Sequence, residues 1–84
     1  MDSKTLKENL NLLNIDTKDY SLDGTLLPMR TILSRSGKNW ITFEYDEHGR
    51  SLDRKEFIDE KSACEDILKR LLYLVEWRKK YNVK

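Results

Sequence analysis

Projected at 100° per residue, Ala63, Cys64, Ile67, Leu68, Leu71, Leu74, Val75 and Arg78 fall on one broad arc, while Glu65, Lys69, Glu76 and Lys80 fall opposite. A helix this one-sided must cover an apolar surface. Tyr73, Trp77 and Tyr81, spaced four apart, run along the border of the arc as an aromatic ridge. Asp59 is placed to cap the helix, and Ser62-x-x-Glu65 offers a competing capping box one turn later.

The surface beneath that helix is expected to be a sheet. In Trp40 to Tyr45 the side chains alternate strictly, with Ile41, Phe43 and Tyr45 on one face and Trp40, Thr42 and Glu44 on the other. Packing the apolar set on the core leaves Trp40 on the opposite face. Ser36-Gly37-Lys38 links this strand to a preceding one over Arg30 to Arg35, and Asp46-Glu47-His48-Gly49 links it to a following one over Ser51 to Ile58. Leu52 and Phe57 differ in parity, so this last strand needs a bulge or a late start.

At the N-terminus Leu6, Leu10 and Leu13 recur at helical spacing over Ser3 to Leu13, with Ser3 as the expected cap. Turn formers then surround a brief extended piece, Tyr20 to Leu22. The expected architecture is a two-layer α+β fold, a single small domain over residues 1–84. It comprises an N-terminal helix, an antiparallel β-meander of three to four strands and a long C-terminal helix packed on the sheet.

At 84 residues the chain is near the lower size for folding without disulfides or metal, and 38% hydrophobic residues suffice for only a modest core. The net charge of +1 leaves no whole-molecule field to attract nucleic acid or membrane, so charge-led recognition must be local. A lone cysteine, Cys64, points to a reducing compartment. With neither an apolar signal segment nor a membrane span in view, the cytoplasm is the expected location.

Glu44, Asp46, Glu47 and His48 crowd the end of the alternating strand. Acid-base catalysis would need them in a pocket, whereas carboxylates at a hairpin tip flanked by Arg50 and Arg54 are expected to be solvated. No second His or Cys stands at ligand spacing, so no metal is expected. Cys64 sits on the apolar arc as an inert core thiol, and the motifs of nucleotide binding and hydrolysis are absent, so neither enzyme activity nor a cofactor is expected. A protein-docking surface fits better, with Trp40, Tyr73 and Trp77 as anchors. The alternative is a module for RNA or single-stranded nucleic acid using Trp40, near Arg30 and Lys38, and the basic aromatic segment "EWRKKYNVK". Acids at Glu44, Glu76 and the hairpin tip count against it.

"YSLDG" at Tyr20 to Gly24, "YDEHG" at Tyr45 to Gly49 and "FIDEKSAC" at Phe57 to Cys64 resemble motifs of small immunity proteins from bacterial polymorphic toxin and contact-dependent growth inhibition systems. The order agrees from about Leu13 to Leu72. His48 stands where the family pattern usually has Arg, Trp40 lies about one residue farther from Gly49, and Thr25 to Pro28 is about one residue longer. The resemblance implies binding and neutralising a cognate toxin domain, as a monomer or as a heterodimer with that toxin. If the toxin is a nuclease with a basic cleft, Glu44, Asp46, Glu47, Asp53 and Glu56 would act as phosphate mimics. His48 and Arg50 at the tip, with Trp40, Tyr73 and Trp77, complete the expected contact surface.

Overall fold

A computed structural model describes residues 1–81. Helix α1 (Ser3–Leu12) begins at Asp2, whose carboxylate accepts the Thr5 N–H at 2.8 Å. The cap is therefore one residue earlier than expected. The N–H of Ser3 donates instead to Glu60 Oε2 at 3.0 Å, tying together the starts of the two helices. Leu6 and Leu10 are buried by their i, i+4 spacing, but the helix stops at Leu12 and Leu13 is exposed. Asn14 enters the left-handed region at φ 59, and the N–H groups of Asn14 and Ile15 return to the carbonyls of Asn11 and Leu10. This Schellman arrangement gives Ile15 the buried place that the periodicity assigned to Leu13.

After a 3₁₀ turn at Thr17–Asp19 come β1 (Tyr20–Ser21), β2 (Arg30–Ser36), β3 (Asn39–Tyr45) and β4 (Ser51–Phe57), hydrogen-bonded in that order. β2, β3 and β4 form the expected antiparallel meander, while β1 pairs with β2 in parallel, so the sheet is mixed. Parallel neighbours usually need a crossover of a dozen or more residues. Here β1 has only two residues, and the connection can return to the start of β2 quickly. It reverses through Asp23, which accepts from Ser21 Oγ and the Thr25 N–H, and through positive φ at Gly24 and Met29.

Helix α2 (Glu60–Tyr81) starts at Asp59, which accepts the Ser62 N–H at 2.7 Å, so the earlier of the two candidate caps operates. Ala63, Cys64, Ile67 and Leu71 are buried with Leu6, Leu10, Ile15, Tyr20 and Leu33 in one core cluster. Both helices thus lie on the same side of the sheet, and the α+β two-layer fold is as expected.

The face of the sheet they cover is the reverse of the one expected. Thr42 Oγ1 donates to Asp66 of α2, and Arg70 of α2 donates to Glu44. Those partners place Trp40, Thr42 and Glu44 under the helix, where Trp40 packs against the core cluster. Ile41, Phe43 and Tyr45 point to the other side with Ile32. The apolar count of one strand favoured the wrong face because α2 carries Asp66 and Arg70 at the border of its apolar arc. A strand meeting them must offer polar partners. The far face still excludes water locally: Ile32 and Phe43 are buried, Phe43 meets the Tyr45 ring edge-on, and the Gly24 backbone lies against Ser34.

The expected bulge occurs in β4. Thr42 pairs with Lys55 and Glu44 with Leu52, so Asp53 and Arg54 together oppose Phe43. Asp53 takes φ 55 to accommodate the extra residue. The shift brings Leu52 onto the same face as Phe57, which resolves their difference in parity.

Candidate functional site

Arg70 is the organising charge of the helix–sheet contact. Its Nε donates to Asp66 Oδ2 at 2.7 Å, one Nη to Glu44 Oε2 at 2.9 Å and the other to the Asp53 carbonyl at 2.6 Å. Thr31 Oγ1 donates to the second Glu44 oxygen, and Thr42 Oγ1 joins Arg70 on Asp66 Oδ2, each at 2.7 Å. Burial pulls the Arg70 pKa down, and the hydrogen bonds and charges of Glu44 and Asp66 outweigh it, so the net shift is upward. Two turns farther along, Arg78 clasps Asp19 with two hydrogen bonds of 2.9 and 3.0 Å, pinning α2 to the 3₁₀ turn. That clasp raises the Arg78 pKa.

Neither arginine was singled out as a site residue. The signals were Arg78 within the apolar arc and an Asp66–Arg70 i, i+4 pair beside it. A charge on a buried stripe implies a partner from another element, but it does not say which.

At the β3–β4 tip, Asp46 Oδ1 accepts the N–H groups of His48 and Arg50 at 2.9 and 2.8 Å, and Oδ2 accepts Arg50 Nε at 2.9 Å. These bonds, led by the Arg50 backbone N–H, hold the carboxyl below its usual range. Asp46 is thereby a turn-forming residue. Glu47 and His48 remain exposed beside each other, 3.5 Å apart. Asp53 gives its carbonyl to Arg70, and its carboxylate, although mostly exposed, lies 3.8 Å from the same guanidinium. Glu56 accepts from Asn39 on the face away from α2.

Two open grooves bring part of the expected surface together. One runs from Asp19 and Met29 past Glu44, Asp46 and Glu47 to Leu74 and Arg78, and the other from Asp53 and Lys55 to Lys69 and Tyr73. They meet at Thr31, Glu44 and Leu74, where α2 passes the end of β3. Tyr73 also borders a depression with Glu76, Trp77, Lys79, Lys80 and Tyr81. Tyr73 is 73% exposed and Trp77 51%, with the Trp77 and Tyr81 rings 5.2 Å apart. Trp40 and Glu56 lie away from this end of α2: Trp40 pairs with Phe57 beneath the helix, with Arg35 stacked 4.9 Å above its ring. Residues 82–84 of the basic aromatic segment lie outside the described residues.

Cys64 is fully buried, and desolvation, followed by the Glu60 charge, pushes its thiol up to about 11. Such a thiol is a poor nucleophile at neutral pH. Among the described residues no helix is long and apolar enough to cross a membrane.

No family model, curated protein or solved structure matches the chain.

Proposed function

We propose that the chain works by binding another protein, and that the partner is a toxin domain of the kind neutralised by the immunity proteins its motifs resemble. The observation that carries the proposal is the exposure of Tyr73 and Trp77 along a helix fixed to the sheet by Arg70 and to the 3₁₀ turn by Arg78. Large aromatics on a rigid element lose little entropy on docking and make efficient interface anchors. Glu47 and Asp53, beside the two grooves, supply solvent-facing carboxylates at the rim. Rim charge of that kind speeds encounter with a basic surface more than it tightens the final complex.

Within this proposal the phosphate-mimic role narrows. Glu44 and Asp46 already have close internal partners, which leaves Glu47, and Asp53 with its longer 3.8 Å approach to Arg70, to face a basic cleft. Trp40, half-buried under α2 and packed on the core cluster, offers little open stacking surface, which favours the protein-binding reading over the nucleic-acid one.

The test is to tag the chain, co-express it with the product of the gene preceding it in its native locus, and assay for a stable complex and relief of toxicity. Complex formation with rescue is expected. Trp77→Ala should weaken binding at least about tenfold, as expected of an aromatic anchor, while Glu47→Lys with Asp53→Lys should mainly slow association. A well-folded chain that gives neither complex nor rescue overturns the assignment.

A further inference from the structure

The face of α2 opposite the core carries an ordered stripe: Glu65, Lys69, Leu72 with Tyr73, Glu76 and Lys80, all exposed. From N- to C-terminus it reads negative, positive, apolar, negative, positive. Reversing the direction exchanges every charge for its opposite. We infer that two copies of the chain associate through α2, antiparallel, about a two-fold axis passing between Leu72 and Tyr73.

In that arrangement Glu65 meets Lys80 of the second copy, Lys69 meets its Glu76, and Leu72 meets its Tyr73. Each contact recurs by symmetry, as a two-fold interface requires. A parallel pair would set Glu65 on Glu65 and Lys69 on Lys69, so the charge order selects the antiparallel one. The spacing of four, three, four and four residues keeps the stripe on one face over about 22 Å of helix. Trp77, on the same flank as Tyr73, comes beside Lys69 of the second copy, within reach of a cation–π contact.

Pairs such as Glu65 with Lys69 and Glu76 with Lys80 also support an isolated helix. Helix support alone needs neither the reversal symmetry of the order nor exposed Leu72 and Tyr73 at its centre. Because Trp77 is common to this contact and to the proposed toxin-binding surface, self-association and partner binding compete. The inference goes beyond the toxin-binding proposal, and the two can fail separately, since one is read on the purified chain alone and the other on the co-expressed pair.

The experiment is sedimentation equilibrium at low salt over a concentration series, on the wild-type chain and two charge variants. One variant combines Glu65→Lys with Glu76→Lys, and the other Lys69→Glu with Lys80→Glu. Wild type is expected to reach twice the monomer mass. Each variant alone should dissociate at least about tenfold more readily because its intermolecular pairs become repulsive, while the core contacts of α2 hold the helix against the like-charged neighbours and keep its circular dichroism near that of wild type. An equimolar mixture of the two variants should restore the dimer as a heterodimer. A wild-type chain that stays monomeric throughout overturns the inference, and so do variants that dimerise as well as wild type.

Discussion

Glu44 of β3 accepts a hydrogen bond from Arg70 of α2 at 2.9 Å, across 26 positions of sequence. The contact makes a strand carboxylate an internal partner of the helix. It also explains why a polar strand face lies beneath an apolar helix: once Arg70 and Asp66 are brought there, Thr31, Thr42 and Glu44 satisfy them.

Arg70→Met should therefore destabilise the fold by about 3 kcal/mol, since it leaves Asp66 largely buried without its main counter-ion. Glu44→Gln, at the more exposed end of the network, should cost no more than about 1 kcal/mol. Combining Arg70→Met with Asp66→Asn should cost less than the sum of the single changes, because the uncompensated charge is gone. Urea unfolding of wild type, the three single variants (Asp66→Asn among them) and the double variant measures these differences. An Arg70→Met loss within about 0.5 kcal/mol, the range of ordinary surface substitutions, would remove Arg70 from the centre of the network.

The β4 bulge makes a separate prediction at Asp53. Its φ of 55 suits glycine better than any branched side chain, whereas its carbonyl, which receives Arg70, is independent of the side chain. Asp53→Val should cost about 1–2 kcal/mol and Asp53→Gly should be neutral or stabilising. A glycine variant no more stable than the valine variant in thermal denaturation would show that the left-handed φ is not what the bulge costs, and an equal loss in both would assign the role to the Asp53 carboxylate, 3.8 Å from Arg70.

Features that depend on one stretch of chain were legible in the sequence. The apolar arc of α2 and the hairpin glycines follow from local periodicity and turn chemistry, Asp59 was one of two candidate caps, and the parity of Leu52 and Phe57 called for a bulge or a late start. Features decided between elements were not. The sheet face under α2 was misassigned because the apolar content of Ile41, Phe43 and Tyr45 says nothing of Asp66 and Arg70 more than twenty residues away. The parallel placement of β1 depends on how residues 22–29 double back, and the loss of Ser3 as a cap depends on Glu60 at the other helix. For the candidate site, the border position of Tyr73 and Trp77 was legible, but a border position fits a core margin as well as a surface, and their exposure is set by where the sheet ends beneath α2. Glu44 and Asp46 were counted as free surface, although Arg70 and the Arg50 backbone engage them.

Four capping and turn carboxylates predict the pH response. Asp2, Asp23, Asp46 and Asp59 each accept backbone N–H groups, and hydrogen bonds hold all four below their ordinary value of 3.8. A carboxyl with a lower pKa in the folded state than in the unfolded chain contributes fully above the unfolded value. Its contribution is lost as pH falls through the folded pKa. The melting temperature should therefore hold steady above that value, as far as these groups are concerned, and decline below it. Asp59→Asn isolates the effect, because asparagine still caps the Ser62 N–H but cannot titrate. Near neutrality the variant should lose little stability, while its acid-induced decline should be shallower than that of wild type. Parallel acid limbs for the two proteins would mean that the Asp59 carboxylate is not coupled to folding, and that the hydrogen bond to Ser62 gives it no pH-dependent role.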